Sequence, residues 1–133
     1  MTKKKIRAAI FSIILIIIVF QSPAQDESYH TFSEHTRQVF SIRYSPDGSL
    51  LASAGADSVI ILYDVKTKSL RKIFRGHSKT IRSIDFSSNG KYLISGGEDH
   101  AIKLWDINKD EEIFSFQLNG QQNFQPNVNA VSF

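Results

Sequence analysis

From residue 39 onward, short runs of β-branched and aromatic residues alternate with clusters of Gly, Pro, Asn, Asp and Ser. Runs of about four to eight such residues bounded by turn formers are typical of β-strands. No segment after residue 25 keeps apolar residues at helical spacing for three turns, so the pattern does not favour a helix. The runs predict two sets of four strands: 39–44, 50–54, 59–64 and 70–74, then 81–86, 92–95, 102–106 and 113–118.

The turn between the first two strands of each set carries the strongest local signal. Pro46 presets φ and Gly48 supplies a positive φ, so the chain reverses at residues 45–48. Asn89 and Gly90 stand at the same place in the second set and form a stronger hairpin signal. Each set is therefore predicted to be a four-stranded antiparallel meander.

The two sets are copies of one repeat. A shift of 42 residues aligns 32–73 with 74–115 without a gap, and thirteen of the 42 positions are identical. Composition alone would match about one position in fifteen. Self-similarity at this period is typical of repeat architectures.

The second copy carries residues that name a family. Through Gly76-His77, Ser95, Asp99 and Trp105-Asp106, the chain resembles the WD-repeat β-propeller family. The first copy departs from the family pattern twice, with Glu34 before His35 and with Tyr63 before Asp64. The resemblance implies an all-β fold, a partial propeller of four-stranded antiparallel blades. The predicted organisation is a leader at 1–24, a lead-in strand at 25–34, repeats at 35–75 and 76–118, and a linker with the start of a third repeat at 119–133.

The resemblance also implies a hydrogen-bonded structural tetrad in each blade. An unpaired buried polar group costs about 1–3 kcal/mol, so these side chains should bond one another. Tyr63 offers a phenol OH in place of an indole N–H, which predicts a looser network in the first blade. The two sets are His77, Ser95, Asp99 and Trp105, and His35, Ser53, Asp57 and Tyr63.

The same Ser, His and Asp residues would suit a hydrolase triad. The set recurs once per repeat and includes a Trp donor, which favours a structural role that every blade needs, so we predict no catalytic residues. His30, His35, His77 and His100 form no short ligand pair, and no metal or cofactor is predicted. The chain has no cysteine, which excludes disulfides and thiol chemistry.

The N-terminus has the composition of a secretory signal peptide. Lys3, Lys4, Lys5 and Arg7 precede an apolar run over 8–20, and Ser22 and Ala24 suit cleavage before Gln25. The alternative is an uncleaved membrane anchor with the repeats outside the cytoplasm, although a spanning helix usually needs about 20 apolar residues. Either reading predicts a secreted, periplasmic or membrane-anchored protein.

Removal of the leader changes the charge balance. The whole chain has 16 Lys and Arg against 13 Asp and Glu, whereas 12 basic residues remain after residue 24. The pI of about 9.2 therefore reflects the leader. Nucleic acid is not a predicted partner, because the repeats carry no basic excess.

A propeller typically closes with four to eight blades of about 40–45 residues. Residues 128–133 resemble the first strand of each repeat, and 29–33 resemble an outer strand without its blade. These features predict an N-terminal fragment of a longer ring. The alternative is self-association of several copies through unpaired edge strands.

The predicted function is a protein-interaction scaffold. The alternative is a sensing or targeting module of a larger secreted or membrane-anchored enzyme, whose catalytic domain lies beyond residue 133. The connection at 119–127 is either a binding loop or a variable linker. The predicted partner contacts lie in the loop and turns around each loop His: Arg37, Gln38, Lys79, Thr80, Ala56 and Glu98.

Overall fold

The computed structural model describes residues 15–17, 30–118 and 126–133. The predicted leader therefore lies outside the described residues except for 15–17, and so does most of the 119–127 connection. Within the described ranges the chain forms ten strands, and no helix long and apolar enough to cross a membrane occurs there. The strands are β1 Leu15–Ile17, β2 His30–Phe32, β3 Val39–Tyr44, β4 Leu50–Gly55, β5 Val59–Asp64, β6 Ser69–Arg75, β7 Ile81–Phe86, β8 Tyr92–Gly97, β9 Ala101–Asp106 and β10 Glu111–Gln117.

Strands β3 to β6 form one four-stranded sheet, called blade 1 here, and β7 to β10 form a second, blade 2. Neighbouring strands are antiparallel and consecutive along the chain. The register repeats as well, since Leu51 lies opposite Tyr63 and Leu93 lies opposite Trp105. The all-β blade prediction is thus confirmed, with strand ends that differ from the predicted ones by at most two residues.

The first hairpin turn of each blade forms as its sequence predicts. Gly48 and Gly90 have φ values of 71° and 68°, which an L side chain rarely adopts. The Ser45 hydroxyl donates to Asp47 at 2.6 Å, and the Ser87 hydroxyl donates to Asn89 at 2.8 Å. These side-chain bonds hold the reversal that brings the second strand onto the first.

The main core lies between the two blades. Blade 1 contributes Ala52, Ile60, Leu62 and Phe74, and blade 2 contributes a set that includes Ile84, Leu93 and Trp105. Ala52, Ile60 and Leu62 are fully buried. Each sheet therefore buries one face against its neighbour, as the layered packing of β-structures requires.

Strand β2 lies on the other face of blade 1. Phe32 packs on Tyr63 with ring centroids 4.2 Å apart, and Phe74 of β6 packs on Trp105 at 5.4 Å in the same way. Strand β2 thus occupies the place that an outer strand of a preceding blade would occupy. Strand β2 also forms an antiparallel pair with β1, which lies within the predicted leader at 1–24.

The far face of blade 2 is apolar and partly open. Phe116 is the repeat equivalent of Phe74, yet it is 51% exposed whereas Phe74 is 3% exposed. Val128 and Val131 lie against Gly96 and cover a part of this face. The structure assigns no regular strand to residues 128–133, because no neighbouring strand of the described chain forms a ladder with them.

Candidate functional site

In blade 2, the side chains of His77, Ser95 and Asp99 meet at one end of the sheet. His77 lies in the loop between β6 and β7, Ser95 lies in β8, and Asp99 lies in the turn after β8. The His77 Nδ1 atom is 2.9 Å from Asp99 Oδ2, and the His77 Nε2 atom is 2.7 Å from Ser95 Oγ. The Ser78 amide also donates to Asp99, at 3.0 Å.

Trp105 completes this network. Its Nε1–H donates to Ser95 Oγ at 2.9 Å. Because the Asp99 carboxylate can only accept, the proton of a neutral His77 ring lies on Nδ1 and is donated to Asp99. The His77 Nε2 atom then accepts from the Ser95 hydroxyl, whose oxygen accepts the indole proton. A neutral imidazole therefore satisfies all four side chains.

The electrostatics agree with a neutral His77. Burial lowers the pKa of His77 below its ordinary value, although Asp99 opposes this effect. Burial of Asp99 would raise its pKa, but the pKa lies below its ordinary value because the Ser78 amide and the His77 ring stabilise the carboxylate. The pair is thus a neutral ring that donates to a carboxylate anion.

Blade 1 forms the same arrangement around His35. Its Nδ1 atom is 2.8 Å from Asp57 Oδ2, and its Nε2 atom is 2.8 Å from Ser53 Oγ. The Thr36 amide donates to Asp57 at 3.0 Å, as the Ser78 amide donates to Asp99. The histidine, serine and aspartate of the first copy are therefore held as tightly as those of the second.

Tyr63 differs from Trp105 in its partner. Its hydroxyl donates to Glu34 Oε2 at 2.9 Å. Burial raises the pKa of the Tyr63 phenol, and the hydrogen bond to Glu34 raises it further, while Ser53 has a smaller opposite effect. Sequence reasoning missed the role of Glu34. The available signal was that positions 34 and 63 are the two at which the first copy departs from the family pattern.

The order Asp, His, Ser has the hydrogen-bond geometry of a hydrolase triad. However, Ser53 and Ser95 are both fully buried, and Ser95 Oγ already accepts the indole proton. A nucleophile must reach its substrate, so these serines are poorly placed for acyl transfer. Among the described residues, no three His, Asp or Glu side chains are grouped so that they could hold a metal ion.

The predicted partner contacts cluster at one end of the sheets. The Ala56 amide donates to the Gln38 carbonyl at 2.7 Å, and the Glu98 amide donates to the Thr80 carbonyl at 2.9 Å. Each bond fixes a loop against the turn beside it. Arg37, Gln38 and Lys79 are exposed, and Ala56, Thr80 and Glu98 are half-buried. These six residues are called the loop rim below.

Two further residues lie beside the loop rim. Arg82 of β7 forms an ion pair with Glu98, which lowers the pKa of that carboxyl. The Arg82 guanidinium also lies over the Phe40 ring, 4.5 Å from its centroid. Phe40 is 44% exposed. Arg82 and Phe40 occupy equivalent repeat positions, so the stack connects the first strands of the two blades.

The comparisons with known proteins match this geometry. The family model of the WD domain, G-beta repeat, matches residues 26–64 and 68–106. The second match runs from the start of β6 to the end of β9, so the family's unit links the outer strand of one blade to three strands of the next.

Curated relatives match over short stretches of this chain, from 34 to 54 residues. Actin-interacting protein 1 of Caenorhabditis elegans is 62% identical over 34 residues, which are 26% of this chain and 6% of the relative. WD repeat-containing protein 1-B of Xenopus laevis is 65% identical over 37 residues, 28% of this chain and 6% of the relative. GID complex subunit 7 of Schizosaccharomyces pombe is 41% identical over 49 residues, 37% of this chain and 9% of the relative. The matched part thus spans less than a tenth of each of these relatives.

Solved propellers match over both blades. The β-propeller domain of Cps50 (Swd1) from Myceliophteria thermophila superposes with a TM-score of 0.63 at 26% identity, over 71% of this chain and 28% of that chain. The RRP9 WD40 repeats superpose with a TM-score of 0.60 at 27% identity, over 62% of this chain and 27% of that chain. With both of its repeats matched by the family model, the chain belongs to the WD40 repeat family.

Proposed function

We propose that this chain belongs to an exported, non-catalytic scaffold that binds a protein partner through the loop rim. Proteins of the WD40 family generally act as protein-interaction scaffolds. The observation that carries the proposal is the pair of loop-to-turn bonds at Gln38 and Thr80, since they hold exposed side chains of two blades on rigid backbone. A loop whose backbone is already held in this way loses little backbone entropy on binding.

The stack of Arg82 on Phe40 extends this surface between the blades. An exposed aromatic ring beside a guanidinium is a common composition for the centre of an interface, where Tyr, Trp, Phe and Arg are enriched. The Glu98 carboxylate orients the guanidinium on the ring. We therefore propose Phe40 and Arg82 as the centre of the contact and the loop rim as its surround.

The test is position-specific crosslinking in the cells that make the protein. A photo-reactive side chain is placed at Arg37 or Lys79 in the loop rim, and at Lys66 or Lys91 in the turns at the opposite sheet ends as controls. We expect one and the same protein to be crosslinked from both rim positions and from neither control. Equal crosslinking from all four positions, or from the controls alone, contradicts the proposed surface.

We further propose that a signal peptide directs export and is cleaved before Gln25. The proposal is supported by the basic residues before the apolar run and by the small residues before the cut. Mass spectrometry of the exported protein should find Gln25 at the N-terminus, and replacement of Ala24 by Leu should block the cleavage. A membrane-bound product that retains Met1 would instead support the anchor.

We propose, too, that a further blade covers the open face of blade 2. The face of blade 1 that blade 2 covers contains Ile60, Leu62 and Phe74, all buried. The repeat equivalents on blade 2 are Ile102, Leu104 and Phe116, none of which is buried. A gene sequence that continues with repeats of this period supports the ring. Stable discrete oligomers of the 133-residue chain would support closure by several copies instead.

A further inference from the structure

The two repeats differ at one pair of positions that are in contact. In blade 1, Glu34 accepts a hydrogen bond from Tyr63. In blade 2, the equivalent residues are Gly76 and Trp105. Each repeat thus joins the residue before its loop histidine to the aromatic side chain of its third strand, but with different chemistry.

A side chain at residue 76 would crowd Trp105 and Glu112 in blade 2. A Cβ atom there would lie 3.0 Å from Trp105 Cη2 and 2.7 Å from Glu112 Oε2. A glutamate would also bring a second carboxylate to Glu112, whose charge is already paired with Lys103 Nζ at 2.9 Å. The Gly76 site of blade 2 therefore disfavours glutamate, because the indole ring would have to shift and a second carboxylate would approach Glu112.

In blade 1, by contrast, a glutamate at residue 34 is favourable because it accepts the hydrogen bond of Tyr63. The Tyr63 side chain is 1% exposed, so its hydroxyl depends on a protein acceptor. The repeat equivalents of Glu112 and Lys103 are Leu70 and Ile61, which place no competing carboxylate beside Glu34. A glycine at residue 34 would leave the Tyr63 hydroxyl without this acceptor.

We propose that the pairs Glu34–Tyr63 and Gly76–Trp105 are specificity determinants that assign each incoming outer strand to its own blade. Blade 1 accepts a strand that carries the sequence aromatic-x-Glu, as in Phe32 to Glu34. Blade 2 accepts aromatic-x-Gly, as in Phe74 to Gly76. Because the repeats share thirteen of 42 positions, a shift by one repeat would otherwise dock β2 on blade 2 with a matching Phe. The mismatched pairs prevent this exchange.

The test is a double-mutant cycle in the full 133-residue chain, read out by amide hydrogen exchange. The Thr36 and Ser78 amides make the same bond to Asp57 and Asp99, so Thr36 reports on docking in blade 1 and Ser78 is an internal control. The variants are Glu34→Gly, Tyr63→Trp and the double variant, which recreates the pair of blade 2. We expect each single change to speed Thr36 exchange about tenfold, since one lost hydrogen bond is worth about a factor of ten.

The double variant should return Thr36 exchange to within about threefold of the native rate, with Ser78 unchanged throughout. Single changes without effect, or a double variant whose rate is the product of the singles, would overturn the proposal. If Tyr63→Trp does not fold, Tyr63→Phe keeps the ring on Phe32 and removes only the donor. The effects of Tyr63→Phe and Glu34→Ala on Thr36 exchange should then be non-additive. Additive effects would overturn the proposal.

Discussion

The backbone N–H of Val131 donates a hydrogen bond to Ser83 Oγ at 3.2 Å, and the N–H of Ile84 donates to Ser41 Oγ at the same distance. Ser41 and Ser83 are repeat equivalents in the first strand of each blade. Residues 128–133 are thus attached to blade 2 as β7 is attached to blade 1. The bond from Val131 to Ser83 joins one repeat to the next, and it holds a segment without regular strand structure against blade 2.

Ser83→Ala should loosen the attachment of residue 131 to blade 2, while the Val128 and Phe133 amides keep their bonds to Gly97 and Asp85. The Val131 amide loses its acceptor, and its hydrogen exchange should become about tenfold faster. The matched change Ser41→Ala should affect the Ile84 amide much less, because β7 is also held by its ladder with β8. Unaltered exchange of Val131 in Ser83→Ala would contradict this assignment.

Trp105→Ala should cost about 3–5 kcal/mol of the free energy of unfolding, because it removes a large buried side chain. The indole is 2% exposed and also donates to Ser95. Trp105→Phe keeps most of the ring volume and removes the donor, so it should cost less than Trp105→Ala. Urea unfolding measures both. A loss below about 1 kcal/mol for Trp105→Ala is incompatible with the structural role of the tetrad.

Asp99→Ala should cost about 3 kcal/mol, since it removes the charged acceptor of His77 and of the Ser78 amide. Asp47→Ala provides a control on a carboxylate that also accepts several hydrogen bonds but lies in an exposed turn. The loss of unfolding free energy for Asp47→Ala should be clearly smaller than that for Asp99→Ala. Chemical unfolding of the two variants under the same conditions decides the order, and equal losses would count against a special role of Asp99.

The stability of the chain should fall as the pH decreases from about 7 to about 5. Burial holds the pKa of His77 below its ordinary value, so the unfolded state binds a proton that the folded state excludes. The charged groups that face the ring are Asp99, Lys103 and Glu112. The pKa of Asp99 also lies below its ordinary value of 3.8, so the contribution of Asp99 to stability is present above that pH and is lost only below it. His77→Gln should flatten the slope between pH 5 and about 7. An NMR titration midpoint of His77 above about 6.5 would refute the assignment.

Phe74→Ala and Phe116→Ala should have very different effects, although the two residues are repeat equivalents. Phe74 packs against Trp105 and is 3% exposed, so its truncation should lower the free energy of unfolding by about 3–5 kcal/mol. Phe116 is 51% exposed on the open face of blade 2, so its truncation should cost less than about 1 kcal/mol. In a longer chain that supplies the covering blade, the loss for Phe116→Ala should rise toward that of Phe74→Ala. Thermal and urea unfolding of both chains measure this difference.

Local pattern and repetition were sufficient to predict much of the fold. Runs of β-branched residues and the turn residues at Gly48 and Gly90 specify short-range geometry, which depends on few neighbours along the chain. The family resemblance implied which polar side chains of the second copy meet, and the 42-residue period gave the corresponding residues of the first copy. The family resemblance supplied the role of the tetrad, which spacing alone does not contain.

Contacts between distant residues were decided only by the tertiary structure. The bond between Glu34 and Tyr63 joins residues 29 positions apart. The sequence predicts a looser network in blade 1, because a phenol OH with a different reach replaces an indole N–H; in the structure that OH has its partner outside the tetrad, at Glu34. Likewise, nothing in the local pattern indicates that Arg82 stacks on Phe40. Strand identity is a local property of the chain, whereas the partner of a side chain depends on how two blades pack, and that packing exists only once both sheets have formed.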